Sequence, residues 1–308
     1  MGRYVARRLL QMLPVIIGTT LLIFVMEWAV PGDPFASRCG QRPCSDAFIA
    51  KETARLHLDK PLPVQYGYFV WNMLHGNFGT TSNGDTVLHQ VSIAFPITVK
   101  LTTVAILMEL VLGIGMGVIA GLRRGGWFDN ISLGATLVAI SFPAFVIGFV
   151  VQYVFGVRLG WFRVTVESGA PWKDLIMPGF VLASLSLAYV LRLTRASLLD
   201  TLNADHVRTA IAKGLPRMLV LRRHVVRNSL IPVVTFIGAD VGVLLGGAII
   251  TEGIFNIQGI GGLVFHAIRI RENATVVSVA TIVVLVILVV NLVVDLFYAV
   301  LDPRIRYE

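Results

Sequence analysis

The sequence predicts an all-α integral membrane protein with six transmembrane helices. Of its 308 residues, 56% are hydrophobic and 14% are charged, and the mean hydropathy is +0.77. A soluble domain carries about 25% charged residues, so the composition excludes a soluble protein. Six apolar runs are each long enough to cross a bilayer as a helix. Basic residues flank these runs, so the net charge of +8 favours anchoring at the cytoplasmic surface over nucleic-acid binding.

The first span is predicted from about Leu10 to Val30, within an N-terminal segment of residues 1–30. Three arginines precede it and place the N-terminus in the cytoplasm. The run is too long for the core of a signal peptide, so we expect a retained helix. Two prolines in Pro31–Pro34 end it. Residues 31–95 are then expected to form a small folded domain outside the membrane. A connection of this length that is rich in aromatic residues is typical of folded structure.

The other five spans are predicted within a core of residues 96–308. They lie at about 97–121, 131–155, 175–193, 230–254 and 274–300. An even number of spans returns the C-terminus to the cytoplasm. Pro143 predicts a kink in the third span. The glycine stripe Gly113, Gly115 and Gly117 predicts close approach of another helix to the second span.

The cytoplasmic loop of residues 200–229 is the most distinctive polar segment. Asp205–Asn228 alone carries six of the 26 Lys and Arg residues. Asn203 or Asp205 is expected to cap a short helix. Gly214, followed by Pro216, is expected to end that helix in a left-handed turn.

One apolar face is predicted on this short helix. Val207, Ala210 and Ile211 share it by their spacing. Two turns of helix are not stable alone in water, so this face is expected to dock on another surface. The alternative is a basic loop that only anchors the cytoplasmic side.

Five acidic residues lie within the predicted spans. Glu109 and Asp240 are near mid-membrane, and Glu27, Glu252 and Asp295 are nearer helix ends. A charge facing lipid is costly, so such residues usually face a water-filled path or a partner in the bundle. Glu109 and Asp240 are therefore candidates for a translocation route or for a polar contact that holds its walls. The alternative for the others is contact with backbone groups or lipid headgroups.

Motifs for catalysis are missing from the chain. It contains neither a GxxxxGK[ST] phosphate-binding loop nor HExxH. Asp240 and Asp295 do not stand in the Gly-x-Gly-Asp setting of an intramembrane protease. A secondary transporter that couples to ions through Glu109 and Asp240 should show internal repeats with broken helices at matching positions, and none is evident. The missing motifs therefore argue against an enzyme and against a cofactor or metal bound by this chain.

Several segments resemble a known family in the same chain order. Arg192–Asp200, His206–Leu215 and Arg223–Pro232 resemble the cytoplasmic loop of permeases from binding-protein-dependent ABC importers. The likeness is greatest to the B-type permease of dipeptide and oligopeptide systems, a group that also includes nickel importers. Arg208-Thr209-Ala210 stands where permeases in general carry Glu-Ala-Ala, as in the peptide branch. Further matching segments are Val30–Pro34, Leu58–Tyr66, Leu245–Phe255 and Leu301–Tyr307.

The resemblance implies the fold and the partners. The fold is that of a type I ABC importer permease in a bacterial inner membrane. The partners are a second homologous permease, one or two ATPase subunits that bind ATP and Mg, and an extracytoplasmic substrate-binding protein. No nucleic acid is implied. Peptides are the expected solute, with nickel or another small solute as the alternative.

The resemblance also implies two sites. The short helix would occupy a groove of the ATPase, and an outer gate would include Glu252, Phe255, Gly259 and Gly261. The residues assigned to ATPase coupling are Asp205, His206, Val207, Arg208, Thr209, Ala210, Ile211, Lys213, Gly214 and Leu215.

The two cysteines, Cys39 and Cys44, are predicted to form a disulfide. Both lie in the segment placed outside the membrane, where oxidation is allowed. The small closed loop should contribute about 2–3 kcal/mol to stability at most. A membrane-impermeant maleimide should label neither thiol in intact, unreduced cells and both after reduction. Full labelling before reduction would show two free thiols instead.

Overall fold

A computed structural model describes residues 2–29, 44–55 and 57–301, and most of these residues are helical. The first helices are α1 (Gly2–Ala29), α2 (Asp46–Arg55), α3 (Leu62–Leu74), α4 (Val87–Met108), α5 (Ile114–Leu122), α6 (Trp127–Ser141) and α7 (Ala144–Val151). The later ones are α8 (Ile176–Leu202), α9 (Asp205–Ala212), α10 (Arg217–Val220), α11 (Arg227–Phe255), α12 (Ile260–Arg269) and α13 (Asn273–Leu301). Three π-helical segments, Glu109–Gly113, Gln152–Arg158 and Leu221–Val226, continue α4, α7 and α10.

The chain divides into two compact units. Unit 1 comprises Met1–Thr98 and Gln258–Glu308, and unit 2 comprises Val99–Ile257. This division differs from the predicted segments 1–30, 31–95 and 96–308, because α13 from the end of the chain packs against α1 from its beginning. The predicted segments were consecutive ranges of the chain, whereas the two units are defined by which residues pack together.

In unit 1, an ion pair joins the two long helices. Arg8 Nη1 near the start of α1 lies 3.1 Å from Asp295 Oδ2 near the end of α13. The N-terminal end of α1 and the C-terminal end of α13 therefore lie on the same side of this unit. Asp295 thus has a charged partner near a helix end and does not face lipid alone.

The second long helix begins earlier than the sequence indicated. We expected the outer segment to end at 95 and the span to start near 97, but α4 begins at Val87. Val87, Val91 and Ala94 form a buried face at helical spacing, and Pro96 lies inside the helix. The polar residues among them and the proline hid the helical pattern. The described part of the outer segment contains the helices α2 and α3, and a separate outer domain stays a prediction.

Helix α8 is the centre of unit 2, and α5, α6, α7 and α11 all pack against it. Glycines let α5 approach closely. A Cβ atom would lie 2.7 Å from Val190 Cγ1 at Gly113, 2.7 Å from Leu191 O at Gly117, and 2.6 Å from Leu198 Cδ2 at Gly121. At these distances another residue type fits only if the facing side chain or backbone moves.

The predicted stripe of alternating glycines is therefore only partly correct. Gly113 and Gly117 lie at the contact, but a Cβ at Gly115 would meet no atom within 4 Å. Gly121 completes the contact instead. A helix has 3.6 residues per turn, so residues four apart share a face and residues two apart do not.

The third predicted span is broken, and the break is sharper than a kink. Between α6 and the pair formed by α7 and its π-helical segment, the helix direction bends by 109°. Phe142 adopts an extended conformation and Pro143 precedes the first residue of α7. Proline has no N–H to continue the hydrogen bonds of α6, and it disfavours helical geometry in the residue before it.

The all-helical membrane class is confirmed. Among the described residues, five helices are long and apolar enough to cross a bilayer, or up to seven if each of two bent helix pairs counts as one span. The predicted number of six lies within this range and stays a prediction.

The glycine contact generates a stability prediction. Gly117→Leu places a side chain where α5 and α8 already touch, so it should lower stability by about 1–3 kcal/mol through overpacking. Gly115→Leu is the matched control, because its Cβ meets open space. The measurement is the unfolding temperature of each purified variant in the same detergent. An equal loss in both variants would contradict the role assigned to Gly117.

Candidate functional site

The short helix of the cytoplasmic loop is present as α9, Asp205–Ala212. Its N-cap residue is Ala204, and no side chain caps it. The predicted capping by Asn203 or Asp205 is therefore wrong. Asn203 ends α8, and its Nδ2 donates to Leu199 O at 2.9 Å. Asp205 lies in the first helical turn, where a negative charge is favourable beside the free N–H groups.

The predicted end of this helix is confirmed. Gly214 has φ +75°, in the left-handed region. Its N–H donates to Ile211 O at 2.9 Å, and the next N–H, of Leu215, donates to Ala210 O at 3.4 Å. These bonds satisfy carbonyl groups that the end of a helix leaves free. Pro216 then begins the connection to α10.

The apolar face of α9 docks on its own chain. Val207 and Ala210 are buried in a cluster with Leu198, Val220 and Val225. We expected Val207, Ala210 and Ile211 to face the ATPase together, and for the first two this is wrong. A two-turn helix needs a packing partner, and α8 with the segment after α10 provides it.

The outer face of the loop keeps exposed apolar residues among basic ones. Ile211 is 60% exposed and Met218 is 73% exposed. Arg208, Lys213 and Arg217, which are close to them in the chain, are exposed as well. We call Arg208, Ile211, Lys213, Arg217 and Met218 the loop surface. An apolar centre with a charged rim is typical of a protein-binding surface.

Two further contacts fix the ends of α9. His206 Nε2 lies 3.2 Å from Asn228 Nδ2 and 3.3 Å from His224 O. Leu215, the last residue assigned to coupling, packs against the buried cluster from the other end. The exposed hydroxyl of Thr209 donates to Asp205 O at 2.9 Å. The helix is therefore held at both ends, with the loop surface facing outward.

An ion pair that the sequence did not predict joins α8 to α6. Arg195 Nε lies 2.5 Å from Asp129 Oδ1, and Arg195 Nη2 lies 2.8 Å from Asp129 Oδ2. Asp129 Oδ2 also accepts from Gly125 N at 2.9 Å. The carboxylate is nearly fully buried, and a bidentate pair of this kind has a fixed geometry. The sequence contained one indication of this site, since a single acidic residue, Asp129, follows the turn of Gly125 and Gly126 at the start of an apolar span.

The two mid-membrane carboxyl groups are neighbours in unit 2. Glu109, at the first position of a π-helical segment, is fully buried, and Asp240 of α11 is nearly so. The Asp240 carboxyl lies beside Glu109 and beside the hydroxyl of Ser186 in α8. Among the described residues, neither oxygen of Glu109 nor Oδ2 of Asp240 has a hydrogen bond of good geometry. Their common position links three long helices.

The outer-gate residues fall into two pairs, one in each compact unit. In unit 2, Glu252 and Phe255 are buried at the end of α11, and Phe255 O accepts from Val166 N at 3.0 Å. In unit 1, Gly259 is the N-cap residue of α12 and Gly261 is buried within it. A gate built from all four residues stays a prediction.

The predicted disulfide lies partly outside the described residues. Cys39 is not among them, and Cys44 is disulfide-bonded. Pairing of the two stays a prediction. Within residues 2–29, 44–55 and 57–301, no group of three or more His, Cys, Asp or Glu side chains could hold a metal ion.

Comparison with known proteins identifies the family from two adjoining matches. Residues 1–102 match the N-terminal part of the membrane component of binding-protein-dependent transport systems. Residues 113–307 match the inner membrane component itself. The chain belongs to this family of transport permeases. It is therefore a permease subunit of the inner membrane and not an enzyme. Permeases of this family act together with ATPase and substrate-binding subunits.

The permease is also similar to individual curated proteins over its full length. It is 34% identical to the dipeptide transport system permease DppB of Alkalihalophilus pseudofirmus, with 99% of both chains covered. It is 35% identical to the glutathione transport system permease GsiC of Pectobacterium atrosepticum, with all of both chains covered. It is 37% identical to the di/tripeptide permease DppB of Pseudomonas aeruginosa, with 99% of both chains covered.

The carboxyl pair generates a prediction that separates its two possible roles. Asp240→Leu leaves the Glu109 carboxyl buried without its polar neighbour, and Glu109→Leu leaves Asp240 with the Ser186 hydroxyl alone. The loss of a polar partner costs a buried group about 1–3 kcal/mol. We expect normal insertion and reduced uptake in vesicles that contain the complete transporter. Glu109→Gln and Asp240→Asn keep a polar contact, so they should retain most of the uptake.

Two other outcomes would change this interpretation. If the amide variants fail like the leucine variants, the negative charge itself is required, as for a carboxylate that faces the solute route. If both leucine variants transport like the parent, neither carboxyl has the role described.

Proposed function

We propose that this permease is one of two membrane subunits of an ATP-driven peptide importer. A substrate-binding protein would deliver a short peptide to the outer side, and the peptide would cross between this permease and a second, homologous one. The proposal on the solute rests on the dipeptide, di/tripeptide and glutathione permeases to which the chain is similar over its whole length. Partner ATPases would bind the nucleotide and Mg.

The observation that carries the coupling role is the division of α9 into two faces. One face is fixed in the buried cluster with Leu198 of α8, and the other presents Ile211 to solvent. An ATPase that contacts the loop surface would therefore move α9 and the cytoplasmic end of α8 together. Leu198 also contacts Gly121 of α5, and Arg195 joins α8 to α6. Displacement of α9 would thus reach three of the helices in unit 2.

This coupling is consistent with alternating access. Packed helices respond to a local displacement by shifting as rigid bodies. Six spans with both termini in the cytoplasm would put the loop surface on the side of the ATPases. The ion pair between Arg8 and Asp295 supports the placement of both chain ends on one side.

The test compares two variants at one position. Gly214→Val puts a β-branched residue at φ +75° and should strain the turn by about 1–2 kcal/mol. Gly214→Asn is the matched control, because asparagine tolerates the left-handed region. A Cβ at this position would meet no atom within 4 Å, so strain and not a clash is tested. The complete transporter is reconstituted in vesicles, with ATP on the ATPase side and no ion gradient.

We expect labelled dipeptide uptake and stimulation of ATP hydrolysis by the loaded binding protein in the parent and in Gly214→Asn. Gly214→Val should assemble but lose most of both. Normal uptake and normal stimulation of ATP hydrolysis in Gly214→Val would show that the loop is only a basic anchor. Uptake that needs an ion gradient and not ATP would indicate a secondary transporter. Uptake of Ni²⁺ with no peptide uptake would assign the permease to the nickel branch.

A further inference from the structure

Helix α3 of unit 1 has an apolar surface that no other described residue covers. It spans 13 residues, Leu62–Leu74, without a charged side chain. Val64, Tyr68 and Trp71 follow one another at helical spacing and are exposed, Trp71 by 62%. Together with Gly67 they line a shallow groove of about 400 Å³. A helix this apolar is expected to be buried on most sides.

The opposite side of α3 packs against the first transmembrane helix. The ring of Phe24 in α1 lies 5.5 Å from that of Tyr66 and 5.9 Å from that of Phe69, measured between centroids. The hydroxyl of Tyr66 lies 3.0 Å from Thr20 Oγ1 and donates to Ile17 O at 3.3 Å. Helix α3 is thereby fixed to α1 at a defined height.

That height lies within the apolar part of the membrane span. The candidate span in α1 is Arg7–Met26. At a rise of about 1.5 Å per residue, Phe24 lies about 3 Å and Thr20 about 9 Å inside the end of the span at Met26. A phenol at this depth needs a polar partner, and the Ile17 carbonyl and Thr20 hydroxyl provide it.

The surroundings of α3 at this height are also apolar. On α1, Leu21, Leu22, Val25 and Met26 are all exposed. Because the chain is a membrane permease, residues exposed at this level of α1 lie at the depth of the lipid acyl chains. The exposed side of α3 is apolar as well.

The two ends of α3 fit a position at the membrane boundary. Asp59 and Lys60 form an exposed ion pair just before it, and the polar segment His75–Asn77 follows it. A helix of 13 residues is about 20 Å long, too short to cross an apolar layer of about 30 Å. Tyrosine and tryptophan are the residues enriched where lipid headgroups meet acyl chains.

We propose that α3 lies in the bilayer interface beside the end of α1, with Val64, Tyr68 and Trp71 in contact with lipid. Interfacial helices bury their apolar face about 5–10 Å below the headgroups, which agrees with the height set by Phe24 and Thr20. The occupant of the groove is then a lipid acyl chain and not another protein. This inference rests on the membrane location of the permease and is independent of its solute.

The test places a photoreactive amino acid on the exposed side of α3. Trp71→p-benzoylphenylalanine is introduced into the assembled transporter in nanodiscs of phosphatidylethanolamine and phosphatidylglycerol. Leu22→p-benzoylphenylalanine on α1 is the lipid-facing control. Asn83→p-benzoylphenylalanine is the control in an exposed polar loop. After irradiation, mass spectrometry of the purified chain measures the fraction that carries lipid, with and without loaded binding protein.

We expect a lipid-adduct yield at position 71 within about twofold of that at 22 and on the order of tenfold above that at 83, whether or not the binding protein is present. A yield at 71 as low as that at 83, or a cross-link from 71 to the binding protein, would overturn the proposal. If the variant at 71 does not assemble, Tyr68→p-benzoylphenylalanine tests the same surface against the same two outcomes.

Discussion

The contact between α5 and α8 is the constraint on which the rest of unit 2 depends. At Gly117 and Gly121 of α5, and at Gly113 just before it, an added Cβ atom would lie only 2.6–2.7 Å from atoms of α8. Lipid offers no hydrophobic gain for helix association, so close contact of this kind is a main source of stability in membrane helix pairs. Near the other end of α8, the absence of a side chain at Gly179 lets Val104 of α4 approach closely in the same way. Both halves of the second long helix therefore pack against one central helix.

This packing explains where the polar residues of unit 2 can lie. The π-helical segment that starts at Glu109 separates α4 from α5, and such segments often occur at functional sites within helices. Glu109 is buried there beside Asp240 of α11. At the opposite end of the same contact, Gly121 meets Leu198, which belongs to the cluster that holds α9. The carboxyl pair and the cytoplasmic loop are thus connected through the same two helices.

The sequence could predict the features that depend on residues close together in the chain. The end of α9 at Gly214 follows from a glycine and a proline in the right order, and the spans follow from runs of apolar residues. The partners of buried residues depend on the tertiary fold. Asp129 and Arg195 are 66 positions apart, and no local pattern pairs them. The apolar face of α9 was evident, but whether its own chain or a partner covers it depends on where α8 lies.

The ion pair between Arg8 and Asp295 has a consequence for the time course of synthesis. Nearly the whole chain separates these residues, so at about 5–20 residues per second the ribosome adds Asp295 roughly 15–60 s after Arg8. For that time α1 is in the membrane without α13, its packing partner. Val99–Ile257 of unit 2 is contiguous in the chain, so its helices can pack during this interval. Unit 1 is completed only when translation ends.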